Sequence, residues 1–539
     1  MTMTQWLLFF LVIQVIHFLG TWKLYLRAGR KVWEAAIPVY NAVVLMKIIK
    51  RPWWWTLLLF IPIVNLLMFP VVWTETARSF GFNTYKDTAL VVLTAGLYLF
   101  YINYATDAPY IEDRSLQPKS ANGEWVSSII FAIVAATIVH TYFMQPFVIP
   151  SSSLEKTLLV GDYLLVSKFH YGARTPMTTI GTPMLHDSIP KVGVKSYLST
   201  PQLPYFRLPG FQKIKRNDIV VFSWPVDTLI DIRPINMSGS VRKPVDKKSN
   251  YVKRCVGMPG DSLEVRNGYV YINGKQNDLP DRARLQYSYK LVSKEPFVTG
   301  PRDRNGYQYT PTDLAFSRYD ISDISGIRDP NSGAYYQNAH MTEESYAKIK
   351  NNTNVIAVER NTYVKGETNS NLFPHNYNNW TVDNYGSIYI PEKGKTVEIT
   401  QETIPYYKRI IEVYEGYEMG ENRTIDFSGT QVLLNGSPIT EYTFKQDYYW
   451  LMGDNRHNSQ DARTWGFVPY NHVVGKPVFV WFSMDNNPHK TGFFSRIRWD
   501  RVFTTVSGSG KPTSFKWVLF VLIGLFVASF FKKKKPEAK

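Results

Sequence analysis

The stretch Val126–Met144, VSSIIFAIVAATIVHTYFM, running directly into Gln145-Pro146-Phe147-Val148-Ile149-Pro150-Ser151-Ser152-Ser153, decides how this chain is built. The first part carries no formal charge and comes close to the ~20 apolar residues that cross a bilayer. A buried helix of a soluble core is the alternative for any one such run. What separates the two readings is the change of pattern around it. Upstream, three more apolar runs lie near Met3–Trp22, Trp53–Trp73 and Thr88–Tyr104. Downstream the chain turns polar, rich in Tyr and Asn, until a last apolar run, Trp517–Phe531, meets Lys532-Lys533-Lys534-Lys535. A membrane portion therefore precedes a large extramembrane body, and a second membrane segment follows it.

The first run has no basic residue before it and no small-residue cleavage site after it, so it does not read as a cleavable leader. Lys23, Arg27, Arg30 and Arg51 fill the loop between the first two runs, whereas Thr74–Asp87 holds only Arg78 and Lys86. By the positive-inside rule the first loop is cytoplasmic and the N-terminus outside. Counting spans then puts everything after Met144 outside and the lysine tail back inside. Pro38 and Asn41 interrupt Ala35–Ile49, which is expected to lie in the interface.

The 539 residues carry a formal net charge of +17. Such a balance points to nucleic acid or to an anionic membrane surface. Many of the basic residues crowd beside the apolar runs, which decides for the membrane and against nucleic acid. A single cysteine, Cys255, excludes an intramolecular disulfide and any multi-cysteine zinc site. The nine histidines are scattered without metal-ligand spacing, so neither a metal nor another cofactor is expected.

From Gln145 onward the pattern is one of short β-type runs. Asp218–Ser223, Ser262–Val265, Tyr269–Ile272, Gly386–Ile390 and Val478–Phe482 read as strands. Asn267-Gly268 and Asn273-Gly274 read as hairpin turns, and Thr342–Lys350 as a helix. An all-β body with a few short helices follows. No internal repeat is evident, and Ser507-Gly508-Ser509-Gly510 reads as a flexible linker.

Three stretches carry candidate chemistry. Ser151-Ser152-Ser153, beside Pro150, is either a backbone turn or a nucleophile. Tyr251-Val252-Lys253-Arg254-Cys255-Val256-Gly257-Met258-Pro259-Gly260-Asp261 sets a lysine in an apolar strand. Its amine either reaches water at the strand edge or is buried enough to lose its proton and serve as a base. A serine hydroxyl needs such a base to become nucleophilic. Gly453-Asp454-Asn455-Arg456-His457-Asn458-Ser459-Gln460-Asp461-Ala462-Arg463-Thr464-Trp465-Gly466 is either a polar loop with an Asp461–Arg463 ion pair or the network that holds a catalytic dyad.

Taken in order, with Asn217-Asp218-Ile219-Val220-Val221-Phe222 between the first two, these stretches resemble the motif set of bacterial type I signal peptidases, Ser–Lys proteases that remove signal peptides from exported preproteins. The resemblance covers about Gln145–Gly268 and Tyr448–Trp499. It implies Ser153 as nucleophile and Lys253 as general base. Ser151 would complete an oxyanion hole with the Ser153 N–H. Ser459 would orient the lysine amine, and Asp461 and Arg463 would support it. Phe147, Ile149, Leu154, Leu158, Tyr251 and Val252 would line shallow pockets for small substrate side chains. Three positions depart from the pattern: Leu154 stands where Met is usual, Lys156 where Pro is usual, and His457 where an acid is commoner. A Ser–His arrangement through His457 is the competing assignment, with no acidic partner for it evident in the sequence. The Arg27–Trp73 region, with Ala36-Ile37-Pro38-Val39-Tyr40-Asn41 and Ile61-Pro62-Ile63-Val64-Asn65, resembles a small membrane module fused to some of these peptidases.

The resulting expectation is a membrane-anchored, mostly-β catalytic domain of signal-peptidase-like fold with a large β-rich insertion, N-terminal transmembrane helices and a C-terminal one. Its division is 1–125, an N-terminal membrane module with about three transmembrane helices; 126–144, the anchor helix; 145–274, the first catalytic part; 275–445, the inserted subdomain; 446–506, the second catalytic part; 507–514, the linker; 515–531, the C-terminal transmembrane helix; and 532–539, a basic cytoplasmic tail. The implied place is the bacterial cytoplasmic (inner) membrane, multi-pass, with the catalytic domain on the exterior or periplasmic face. The implied partners are signal-peptide-bearing preproteins, the lipid bilayer and the protein-export machinery, with no nucleic acid. A catalytically silent, membrane-tethered β-rich scaffold or binding module is one alternative. A self-cleaving Ser–Lys protease, like the SOS-response repressors, is another, opposed by the multiple spans and the lack of a DNA-binding helix pair.

Overall fold

The computed structural model describes residues 2–117, 120–227, 242–299, 310–367, 371–375, 379–487 and 489–532. The basic tail beyond Lys532 lies outside the described residues. The chain forms two compact units: Met1–Phe143 with Arg174–Leu208 and Asp227–Ser249, and Met144–Ala173 with Pro209–Val226 and Asn250–Lys539. The first catalytic part is therefore not one continuous piece, since two excursions from it belong to the unit of the membrane helices.

In that first unit two helices are long and apolar enough to cross a membrane, Met3–Arg27 and Ala121–Phe143. Thr88–Tyr104, expected as one span, is a bent pair, Tyr85–Leu93 and Tyr98–Tyr104, at 115°. Gly96 makes the corner at φ +83, where an added Cβ would lie 2.7 Å from the Trp73 ring. Trp53–Trp73 is no single helix either, for Pro62 separates Trp55–Leu58 from Val64–Ser79. Pro38-Val39 and Pro62-Ile63 share one local device, a short repeat that hydropathy alone does not reveal. Val39 and Ile63 adopt φ 68 and φ 70, and each heads a helix. Positive φ is rare for β-branched residues, so the chain turns sharply at both prolines. In the excursions the buried Lys243 ammonium bridges Asp187 (2.5 Å) and Asp227 (3.4 Å).

The second unit is built on an antiparallel sheet of β1 (Met144–Val148), β2 (Asp162–Ser167), β3 (Ile219–Ser223), β4 (Asn250–Gly257), β5 (Tyr448–Met452), β6 (Val468–Pro469), β7 (Val473–Ser483) and β8 (Thr504–Thr505). Its order is β1-β2-β7-β3-β4-β5-β6, with β8 paired to β7. The apolar run of β3 is explained by burial on both faces. Ile219 and Val221 pack with Ile149, Leu154, Leu158 and Val480, while Val220 and Phe222 pack with Cys255, Leu451 and Trp465. Lys253 of β4 stands opposite Val220 of β3. On its other side β4 pairs with β5 only from Arg254 onward. The insertion is itself divided. Tyr287–Ser293 lies in a four-stranded sheet with Asp323–Arg328, Tyr335–Met341 and Val355–Arg360, whereas Tyr385–Tyr389 joins Ser262–Arg266 of the first catalytic part. The Asn267-Gly268 and Asn273-Gly274 turns take positive φ at both residues, as Asn-Gly hairpins do, and the expected helix over Thr342–Lys350 is Glu343–Ile349, capped by Thr342.

Ser507–Gly510 is held rather than free: Arg282 donates to the carbonyls of Thr505, Ser507, Ser509 and Gly510. The final apolar helix, Lys516–Lys532, has 17 residues, or about 25 Å at 1.5 Å per residue, which is short for a span.

Candidate active site

The Ser153 turn is set by its flanks. Ser151 is extended (φ −129, ψ 154) and leads into a single 3-10 turn, Ser152–Leu154. Ile149 N–H donates to Asp162 O and Gly161 N–H to Ile149 O, closing the loop onto β2. Gly161 is required there: at φ +89, an added Cβ would fall 2.1 Å from the Met484 carbonyl oxygen. Leu154, in the core at 1% exposure, anchors the turn. Lys156 adopts φ +71, which a proline ring cannot, so this departure from the family pattern goes with a different backbone turn. Its amine pairs with Asp320 of the insertion at 2.8 Å.

Strand β4 brings Lys253 to this turn. Its Nζ lies 2.5 Å from Ser153 Oγ, and both residues are buried, at 4% and 9% exposure. Burial pushes the Lys253 ammonium down to about 8, partly offset by the negative charges of Asp461 and Asp454. The amine is thus substantially neutral at mildly alkaline pH, when it can accept the serine proton.

The loop after β5 supports the pair. Asn455 N–H donates to Ser153 O at 3.0 Å and its side-chain amide to Ser152 O at 3.2 Å. Asp461 accepts the Gly453 N–H and both Nε and Nη2 of Arg463 (2.9 and 2.8 Å). Arg463 in turn donates to Arg456 O at 2.6 Å. Burial favours the neutral Asp461 acid, but Arg463 overrides it and holds the carboxyl below its usual range. Gly453 has no room for a side chain, since a Cβ would lie 2.2 Å from Ser459 Oγ and 2.6 Å from Ser153 O.

Other residues fall differently from their expected roles. Ser459 Oγ faces its neighbour's carbonyl, Gln460 O, at 3.4 Å, and among the described residues makes no hydrogen bond to Lys253. Ser151 is exposed at the start of the turn with no capping bond. Ile149, Leu154 and Leu158 are core residues at 4%, 1% and 1% exposure, while Phe147, Tyr251 and Val252 are half-buried. His457 does have an acidic partner, Asp383, with Nε2 2.9 Å from Oδ1, and its Nδ1 accepts the Ser288 N–H. Both ring nitrogens are engaged away from Ser153, which removes the Ser–His alternative.

Asp454 and Arg254 were not among the candidate site residues from sequence. These form a buried bidentate pair at 2.8 and 2.6 Å, and Asp454 also accepts the Thr157 hydroxyl at 2.6 Å. The signal was present, for Arg254 follows Lys253 and Asp454 follows Gly453, but their pairing spans 200 residues.

A buried serine–lysine pair on an antiparallel β body, in a chain that also carries apolar helices, is an arrangement that a serine peptidase can use. Comparison with known families agrees. The model of the family described as signal peptidase, peptidase S26, matches residues 122–368 and 387–482, and the chain belongs to that family. It is a serine endopeptidase of the signal peptidase I type. Residues 33–113 match a family of unknown function (DUF5684). Similar curated proteins include signal peptidase I of Buchnera aphidicola, 24% identical over 68% of this chain and 76% of that one. Signal peptidase I of Helicobacter pylori is 24% identical over 71% and 93%, and that of Haemophilus influenzae 22% over 73% and 79%.

Proposed function

We propose that this chain removes N-terminal signal peptides from exported preproteins by a Ser153–Lys253 dyad, with the active site at the outer face of the cytoplasmic membrane. The observation that carries the reading is the 2.5 Å approach of the buried Lys253 amine to Ser153 Oγ. Neutral Lys253 takes the hydroxyl proton as Ser153 attacks the scissile carbonyl. The oxyanion is met by the Ser153 N–H and the Ser151 hydroxyl, donors of a kind worth about 3 kcal/mol in the transition state. Lys253, now an ammonium, hands its proton to the leaving amine. An ester links the new carboxyl to Ser153 until water, activated by the same amine, releases it. Asp461, Arg463, Asp454 and Arg254 hold the frame, and Ser459 becomes a candidate for orienting the amine once substrate is bound. The test is cleavage of a purified preprotein in detergent by the wild type and its absence with Ser153→Ala.

The base should be visible in the pH profile. A base is needed deprotonated, so kcat/KM is expected to rise about tenfold per pH unit and level off near pH 8, where Lys253 loses its proton. A limb centred below pH 7 would point to an imidazole base instead.

Orientation has its own test. With Met3–Arg27 and Ala121–Phe143 crossing, the loops between them face the cytoplasm and the body faces outward. A reporter at Ser115 should read cytoplasm and one at Gly508 exterior. The same side at both positions would overturn this topology.

A further inference from the structure

The catalytic loop does not stand on the sheet alone. His457, in its middle, is inserted between two parts of the insertion. Its Nδ1 accepts the N–H of Ser288, on the strand Tyr287–Ser293, at 2.9 Å. An acceptor at Nδ1 places the ring proton on Nε2, which donates to Asp383. The two side chains are 4% and 0% exposed. Asp383 also accepts the Tyr363 N–H at 3.0 Å, and the Tyr287 and Tyr363 rings flank the imidazole edge-on at 6.0 and 5.7 Å. Burial would push the Asp383 carboxyl up, but the hydrogen bond from His457 and the nearby Arg360 charge keep it low, and so ionised.

The neighbours of His457 on the loop are the ones that hold the catalytic groups. Asn455, two residues before it, binds the Ser152 and Ser153 carbonyls. Arg456, one before, supplies the carbonyl to which Arg463 is tied, and Arg463 holds Asp461. Fixing the imidazole therefore fixes the stretch that sets both Ser153 and the carboxylate facing Lys253. Asp383 lies in 369–386, between the two blocks matched by the peptidase family model, so this support comes from a part of the chain outside the match.

We propose that Asp383 is a positioning residue for the peptidase reaction: through His457 it clamps the loop Gly453–Arg463, so that the insertion completes the active site. This rests on the Ser153–Lys253 reading above. The clamp runs through Nε2, which separates two conservative variants. His457→Gln keeps a donor at about the Nε2 position, whereas His457→Asn keeps only an acceptor near Nδ1.

The test uses the full chain in detergent with a preprotein substrate, and Ser153→Ala as the blank. His457→Asn and Asp383→Ala are each expected to lower kcat about tenfold or more, with KM within about twofold, since small misplacements of catalytic groups are costly. The double variant should be no worse than either single. His457→Gln and Asp383→Asn should stay within about threefold of wild type. The acid limb should move to lower pH in the impaired variants. Lys253 is faced by Asp461, Asp454 and Arg463, and loosening the loop withdraws the carboxylates that keep its proton affinity up. A purely structural role would lower the melting temperature without moving that limb. Wild-type kcat and pH profile in His457→Asn, or equal loss in His457→Gln and His457→Asn, would overturn the clamp. Should Asp383→Ala fail to fold, the Asn–Gln contrast at His457 still decides. Wild-type cleavage that persists in Ser153→Ala would overturn the dyad itself, a result distinct from an unchanged His457→Asn.

Discussion

Replacing Ser153 by Ala or Lys253 by Met is expected to cut preprotein cleavage by about 10³-fold or more, with the double variant no lower than either single. In the proposed dyad the two groups act as one unit. Without the amine, the Ser153 hydroxyl has no other hydrogen-bonded base among the described residues to take its proton, and without the hydroxyl the amine has nothing to activate. Methionine suits the lysine site because it fills a similar volume without a charge, in a place only 4% exposed. Stability should move the other way. The folded pKa of Lys253, about 8, lies below its ordinary 10.5, so the unfolded chain binds the proton more tightly. Wild-type stability attributable to this group therefore rises with pH between about 8 and 10.5 and is lowest below 8. Lys253→Met should melt no lower than wild type at pH 7, with any advantage shrinking as pH rises through that window. Cleavage at the wild-type rate by either purified single variant would sink the dyad.

What could be read from sequence was what is local. The strands at β3 and β7, the Asn-Gly hairpins and the helix after Thr342 all follow from short-range patterning and turn chemistry, and they stand where expected. Ser153 and Lys253 were legible because each sits in a compact motif, although a hundred residues separate them. The membrane portion was less legible. Hydropathy counts apolar residues but not the backbone, so it gave Trp53–Trp73 and Thr88–Tyr104 as unbroken runs, where Pro62 and the Gly96 corner interrupt the helix, the second as a bent pair that passes the test for a span only when taken together. The linker misled for a related reason. Gly and Ser suggest freedom, yet their carbonyls are what the Arg282 guanidinium grips. Pairing between distant polar residues was the hardest to see. Nothing in the local pattern joins His457 to Asp383 or Arg254 to Asp454, because a buried charge finds its partner through the fold rather than through spacing.

Substitution in the substrate is expected to have the second large effect: in a preprotein with alanine just before the cut, changing that alanine to Phe or Leu should lower kcat/KM by about 10²-fold or more. Residues Asn250–Lys253 of β4 pair with β3 on one side, while β5 reaches only as far as Arg254 on the other. Strand β1, at the sheet's end, pairs with β2 alone among the described strands. An extended peptide can add main-chain hydrogen bonds to such edges. Its side chains then alternate, so the residues one and three before the cut face the protein together. The ground they meet is already filled. Ile149, Leu154 and Leu158 form a closed core beneath the serine turn, leaving Phe147, Tyr251 and Val252 as the half-buried surface available. Tyr251 is itself stacked on Trp224, with ring centroids 5.1 Å apart and planes within 5°, and has little room to yield. A methyl group fits over such a floor. A larger side chain must displace packed atoms, at a typical cost of 1–3 kcal/mol, or lift the scissile carbonyl from Ser153. The measurement is processing of one preprotein with Ala, Leu, Phe or Lys at that position, scored against Ser153→Ala. Efficient cutting after Phe or Lys would mean that a deeper pocket opens when substrate binds, and that the buried leucines move to make it.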